Sequence, residues 1–115
     1  MRVSLRRGRH FIKSIVDKFE SLVFKPYVKR KTIEGVEFDF YFGNRQGRNW
    51  YDINATDPIW DEMRHIRDLL IDEGEIIFEL GSHHGCTTIL LANWVGPEGK
   101  VIAFEPDPVN ARILS

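Results

Sequence analysis

Residues 75–108 read EIIFELGSHHGCTTILLANWVGPEGKVIAFEPDP, and this stretch decides the fold. Ile76 to Leu80 is a short apolar run that meets glycines at Gly81 and Gly85, which predicts a strand entering a tight loop. A helix is expected over Cys86 to Val95, a turn at Gly96-Pro97-Glu98-Gly99, and a second strand over Lys100 to Glu105, closed by Pro106. Two apolar strands joined by a helix form a βαβ unit, and the crossover forces the strands to run parallel.

The expected fold class is therefore α/β, a Rossmann-like doubly wound sheet of which the opening units are present. Open sheets of this kind bind nucleotide-like ligands outside the carboxyl ends of their strands. The dinucleotide fingerprint G-x-G-x-x-G needs a second glycine so that backbone can approach a pyrophosphate. Here the loop is Glu79-Leu80-Gly81-Ser82-His83-His84-Gly85, with a histidine at that second position. The remaining pattern, acid-x-Gly-x-x-x-Gly, suits a ligand with a cationic amino acid end and no phosphate. S-adenosyl-L-methionine is such a ligand. Glu105 ends the second strand 26 positions after Glu79, where a carboxylate can accept hydrogen bonds from both ribose hydroxyls.

FELGSHHG, the helix after it, GPEGKVIAFEPDPVNARIL, and the upstream WYD and WDEMRHIRDLL resemble the FkbM-type family of S-adenosylmethionine-dependent methyltransferases. The phrase V-x-A-F-E-P-x-P, here Val101 to Pro108, is the most specific part, and the likeness covers residues 36–115. It implies a class I methyltransferase fold and methyl transfer to a hydroxyl of a saccharide or other small molecule. It also implies cofactor contacts at Glu79, Gly81, Ser82, His83, Gly85, Glu105 and Pro106. The family commonly carries Asp and Gly-Ala-Asn where this chain has Glu79 and Gly81-Ser82-His83, which leaves the contacts of Ser82, His83 and His84 open. No residue stands out as a catalytic base. Rival readings are an NAD-type oxidoreductase fragment and a non-catalytic truncated chain.

A chain of 115 residues makes one domain or less, and its 43% hydrophobic and 29% charged residues are ordinary for a globular protein. No apolar run approaches the length of a membrane span. A single cysteine, Cys86, excludes an internal disulfide framework and fits a reducing, cytoplasmic setting. His83, His84 and Cys86 lack the second ligand pair that structural zinc requires, so no metal is expected. Cys86 reads as a small core residue. Residues 107–114 look like the first turns of a further helix, capped by Asp107 with Pro108 behind it. Two strands that are apolar on both faces cannot cover one another, so the chain is expected to stop inside its domain. Methyltransferase activity of these 115 residues alone is not expected.

Net charge is −1, but residues 1–31 carry ten Lys or Arg against Asp17 and Glu20, for +8, while residues 32–115 carry −9. The chain divides accordingly into a basic arm (1–31), a hairpin and helix forming a lid or side wall (32–74), and the start of the cofactor domain (75–115). His10 to Phe24 places Phe11, Ile12, Ile15, Val16, Phe19, Leu22 and Val23 at helical spacing, and Pro26 ends the helix. The preferred expectation is that this helix lays its apolar side on the domain; the alternatives are a weak membrane-surface contact, a targeting presequence or a docking arm. No nucleic acid is expected, because no recognition motif accompanies the bases.

Val36, Phe38, Phe40 and Phe42 alternate with Glu37, Asp39 and Tyr41, which predicts a half-buried strand. After a turn at residues 43–47, Asn49 to Ile53 is expected to return as its hairpin partner. Asp57 and Pro58 start a helix with Ile59, Trp60, Met63, Ile66, Leu69 and Leu70 on one face, stopped by Gly74. Trp60 and Trp94 read as core or wall, and Trp50 and Tyr51 as candidates for the acceptor side.

Overall fold

The computed structural model describes residues 3–53 and 59–115. These form a mixed α/β chain with two small sheets, an antiparallel hairpin and a parallel pair, linked by helices.

Helix α1 runs from Val3 to Val23, further upstream than the apolar spacing alone predicts. The added turns contain Leu5, Arg6 and Arg7, all favourable in helices. Lys25-Pro26 then prevents continuation, since proline lacks the N–H and biases its predecessor toward extended backbone. The apolar side of α1 does not lie on the domain. Phe11, Ile12, Ile15, Phe19, Leu22 and Val23 are all exposed, Leu22 by 81%. That corrects the expected packing, and the radius of gyration of 17.4 Å agrees. A compact chain of this size would give about 13 Å.

Strands β1 (Tyr27–Ile33) and β2 (Val36–Phe42) pair antiparallel from Tyr27 opposite Phe42 to Ile33 opposite Val36. The two-residue connection is Glu34-Gly35, with φ of 49° and 78°. Two consecutive positive φ values match the twist of a hairpin, and glycine supplies the second at low cost. The hairpin partner is thus the segment before β2 and not Asn49–Ile53, and the charge boundary at residue 31 falls inside β1. β2 itself alternates as expected: Val36, Phe40 and Phe42 are buried while Glu37, Asp39 and Tyr41 face out.

Downstream of β2, Asn44 accepts a hydrogen bond from the Gly47 N–H (2.9 Å) and caps a one-turn helix α2 (Arg45–Arg48). The chain continues as a π-helical turn over Asn49–Ile53, where a strand was expected. A side-chain cap at Asn44 commits the backbone to helix, and the turn is then pinned to β1. Asp52 accepts from Tyr27 Oη (2.7 Å) and Lys29 Nζ (2.6 Å), and Lys31 Nζ reaches the Tyr51 carbonyl.

Helix α3 (Ile59–Leu70) buries Met63 and half-buries Trp60 but leaves Ile66, Leu69 and Leu70 exposed, so the expected apolar face is covered only in part. Its expected cap at residues 56–58 lies outside the described residues. Arg64 grips Glu34 through two hydrogen bonds of 2.7 Å, tying α3 to the hairpin turn.

Strands β3 (Ile76–Leu80) and β4 (Lys100–Phe104) pair parallel, Ile76 opposite Lys100 and Leu80 opposite Phe104. Helix α4 (Cys86–Val95) connects them and buries Cys86, Leu90, Leu91 and Val95. α5 (Pro108–Leu114) follows, with the Asp107 carboxylate accepting from the Val109 and Asn110 N–H groups. The opposite face of the pair, Ile76, Phe78 and Leu80, is exposed. The aromatic core joins hairpin to α4: Phe40, Phe42 and Cys86 sit at its centre, ringed by Phe24, Tyr27, Ile33, Phe38, Tyr51, Trp60 and Ile89. Tyr27 stacks on Phe42 at 4.7 Å, and Phe40 meets Phe42 edge-on at 5.0 Å. Phe42 is fully buried, so Phe42→Ala should cost about 3–5 kcal/mol of stability in urea unfolding. A loss below about 1 kcal/mol would show that this cluster is not the core.

Candidate functional site

β3 runs out at Leu80, and Gly81 turns the chain with φ of 84°. A Cβ on Gly81 would meet nothing within 4 Å, so the backbone angle and not crowding calls for glycine there. The loop then folds over the end of β4. The Phe104 carbonyl accepts from the N–H groups of both Gly81 (2.8 Å) and Ser82 (3.2 Å). His83 adopts φ of 53°, a left-handed conformation that costs a non-glycine residue energy. Its N–H donates to Glu105 Oε2 at 2.6 Å, a charge-assisted bond that offsets the cost. The Gly85 N–H closes the loop on the Ser82 carbonyl at 2.8 Å.

These bonds bear on the ligand class. A phosphate site at the start of a helix needs N–H groups aimed at the anion. Here the amides of Gly81, Ser82, His83 and Gly85 are all used within the protein. Those four amides are therefore closed to a phosphate, for a reason independent of the missing second glycine.

Glu105 is the organising acid. One oxygen takes the His83 N–H and the other takes the Asp107 N–H at 2.8 Å, so a single carboxylate fixes the glycine loop and the approach to α5. A carboxylate has about four acceptor positions, which leaves two for a ligand. Beside it lies an open cleft of about 440 Å³, lined by Leu80, Gly81, Phe104, Glu105 and Pro106. Its walls are almost wholly apolar, with Glu105 among the residues that line it.

Glu79 points the other way. Strand alternation sends it toward α4, where it accepts a hydrogen bond from the Thr88 hydroxyl, and burial pushes its carboxyl pKa up. Ser82 is buried with its hydroxyl unpartnered. His83 and His84 form a pair with their Nδ1 atoms 2.7 Å apart, so one ring presents N–H and the other its lone pair. Both Nε2 atoms are buried without partners. The His83 ring stacks on Trp50 at 4.7 Å, and Tyr51 approaches both rings. Burial pushes the His83 and His84 pKa values down, His84 to about 4, with Glu105 and Asp107 pulling weakly the other way. Burial raises the Cys86 thiol to about 12, so it is a neutral core group. Among the described residues no cluster of three or more His, Cys, Asp or Glu could hold a metal ion.

Of the seven sequence-derived site residues, Gly81, Glu105 and Pro106 line the cleft. Ser82 and Gly85 are buried within the loop, Glu79 faces α4, and His83 lies against Trp50. Of the aromatic candidates, Trp50 is exposed and joins the histidine pair, whereas Tyr51 belongs partly to the core. Trp60 packs on the core, and Trp94 lies 5.6 Å below the Arg67 guanidinium. The Trp50–His83 stack has no local sequence signal, because it depends on the π-helical turn. Comparison with models of known families, with curated proteins and with solved structures finds no match for this chain.

The histidine pair predicts a pH effect of definite sign. In the unfolded chain histidine titrates near 6.5. The folded pair resists protonation, so the unfolded state binds more protons below that value, and stability should fall as pH drops from about 6.5 toward 4. Glu79, with its raised pKa, works in the opposite direction in acid. Urea unfolding of wild type and His84→Asn across this range isolates the histidine contribution. The difference between the two should shrink as pH falls. A constant difference would mean that the pair titrates normally.

Proposed function

We propose that this chain carries the cofactor-binding part of an S-adenosylmethionine-dependent methyltransferase acting on a hydroxyl of a saccharide or other small molecule. In this reading β3, α4 and β4 are the opening units of a Rossmann-like doubly wound sheet of the class I methyltransferase type. The observation that carries it is the cleft at the carboxyl ends of β3 and β4, with Glu105 in its wall and apolar Leu80 and Phe104 beside it. An adenosyl group needs that combination: apolar surface for the base and a strand-end carboxylate for the ribose hydroxyls. The occupied amides of Gly81, Ser82, His83 and Gly85 weigh against a pyrophosphate seated in the loop, which leaves only the first turn of α4 to receive one.

Methyl transfer would proceed by in-line attack of the acceptor oxygen on the methyl carbon, and the protein's main contribution would be alignment at close range. Trp50, exposed beside the glycine loop, is the candidate for stacking on a sugar acceptor. A cytoplasmic setting is part of the same proposal, supported by a lone, buried, unpaired cysteine.

Calorimetric titration with S-adenosylmethionine tests the reading, with NAD as the comparison ligand. S-adenosylmethionine should bind, and Glu105→Ala should weaken it by about 1–3 kcal/mol through unpaired polar groups. Binding of NAD alone would overturn the proposal. Unchanged affinity in Glu105→Ala would displace the ribose from this cleft.

A further inference from the structure

We propose that α1 docks flat on an anionic lipid bilayer, inserting its apolar side among the acyl chains while its lysines engage the headgroups. At about 100° per residue, Phe11, Ile12, Ile15, Val16, Phe19, Leu22 and Val23 fall within an arc of roughly 140°. All seven are exposed, and no acid interrupts them.

The polar side of the helix is the one turned to the body. Asp17 and Glu20 both pair with Arg45, Asp17 at 3.0 Å. Lys13, Asp17 and Ser21 line a groove shared with Asn44, Arg45 and Trp50. Asp17 lies roughly 170° around the helix from the centre of the apolar arc. The Arg45 clamp therefore aims the apolar arc away from the protein and offsets one of the two negative charges that the helix carries.

What remains on α1 and the adjoining segment is positive. Residues 1–25 contain seven Lys or Arg, and Lys13 and Lys18 are exposed beyond opposite sides of the apolar arc. A bilayer with acidic headgroups complements both features, because it offers apolar depth beneath a negative surface. Lys18, about 20° beyond one edge of the arc, can reach up to the headgroups while its stem stays in the apolar layer. Lys13, about 60° beyond the other edge and beside the Arg45 groove, adds to the positive field. The apolar part of the helix, about 20 Å long at 1.5 Å per residue, suits an in-plane orientation. Among the described residues no helix is long and apolar enough to cross a membrane. This inference is independent of the cofactor reading.

Co-sedimentation of the 115-residue chain with lipid vesicles tests it, using phosphatidylcholine alone and phosphatidylcholine with about one-third phosphatidylserine. Binding should be roughly tenfold or more tighter on the anionic vesicles and should fall as salt rises. Lys13→Ala with Lys18→Ala should weaken it roughly 25-fold, at about fivefold per lysine. Phe19→Glu should abolish it without altering the circular dichroism of the domain, since Phe19 is largely exposed. Equal binding to both vesicle types, or binding to neither, would overturn the proposal. So would a concentration-dependent dimer, lost in Phe19→Glu, from a chain that ignores vesicles; the arc would then be covered by a second copy.

Discussion

The glycine loop stays where it is because two acceptors at the end of β4 hold it there. The Phe104 carbonyl takes the amides of Gly81 and Ser82, and the Glu105 carboxylate takes the amide of His83. The same carboxylate takes the Asp107 N–H, and Asp107 caps α5. Loop, strand end and following helix are thus fastened through adjacent residues. This fixes the wall of the cleft, and it lets His83 keep a left-handed backbone that would otherwise relax. It also makes Glu105 a structural residue as well as a candidate ligand contact, so affinity and stability should be measured together on any variant there.

Around this clamp α4 links the two sheets. α4 touches the parallel pair on one side and the aromatic hairpin on the other, and Cys86 at its first turn packs with Phe40 and Phe42. Each two-stranded sheet would be marginal alone, because a hairpin or a parallel pair has little to bury against. The π-helical turn completes the enclosure from the side: Tyr51 packs edge-on to Phe40, while Asp52 is held by Tyr27 and Lys29. Trp50, on the same turn, reaches His83, so the hairpin and the glycine loop are coupled through aromatic stacking.

Much of the fold was legible wherever one residue type forces one conformation. Gly81 and Gly85 bracketed the loop, the apolar run to Leu80 marked β3, and Asp107-Pro108 announced α5. β1 was not legible because Lys29, Arg30 and Lys31 hide its alternation, and its turn signal, Glu34-Gly35, is weak beside Asn-Gly or Asp-Gly. Asn49 to Ile53 looked like a strand by composition, but the Asn44 cap starts a helix just ahead of it. The direction of α1's apolar arc depends on Arg45, which lies far along the chain from Asp17 and Glu20, and periodicity carries no such information. In the site, Gly81, Glu105 and Pro106 were accessible to sequence reasoning because strand ends and glycines fix a pocket mouth. The reversal of Glu79 toward Thr88 follows from strand alternation, which a motif by itself does not encode.

The central claim is that the cleft beside Glu105 binds an adenosyl group carrying a cationic amino acid end. Amide chemical shifts followed by NMR during titration with S-adenosylmethionine test it directly. The account predicts saturable shifts concentrated at Leu80, Gly81, Phe104 and Glu105, with smaller changes at His83 and Asp107, which share the Glu105 carboxylate. Shifts confined to α1 or the hairpin, or none at these residues, would contradict it.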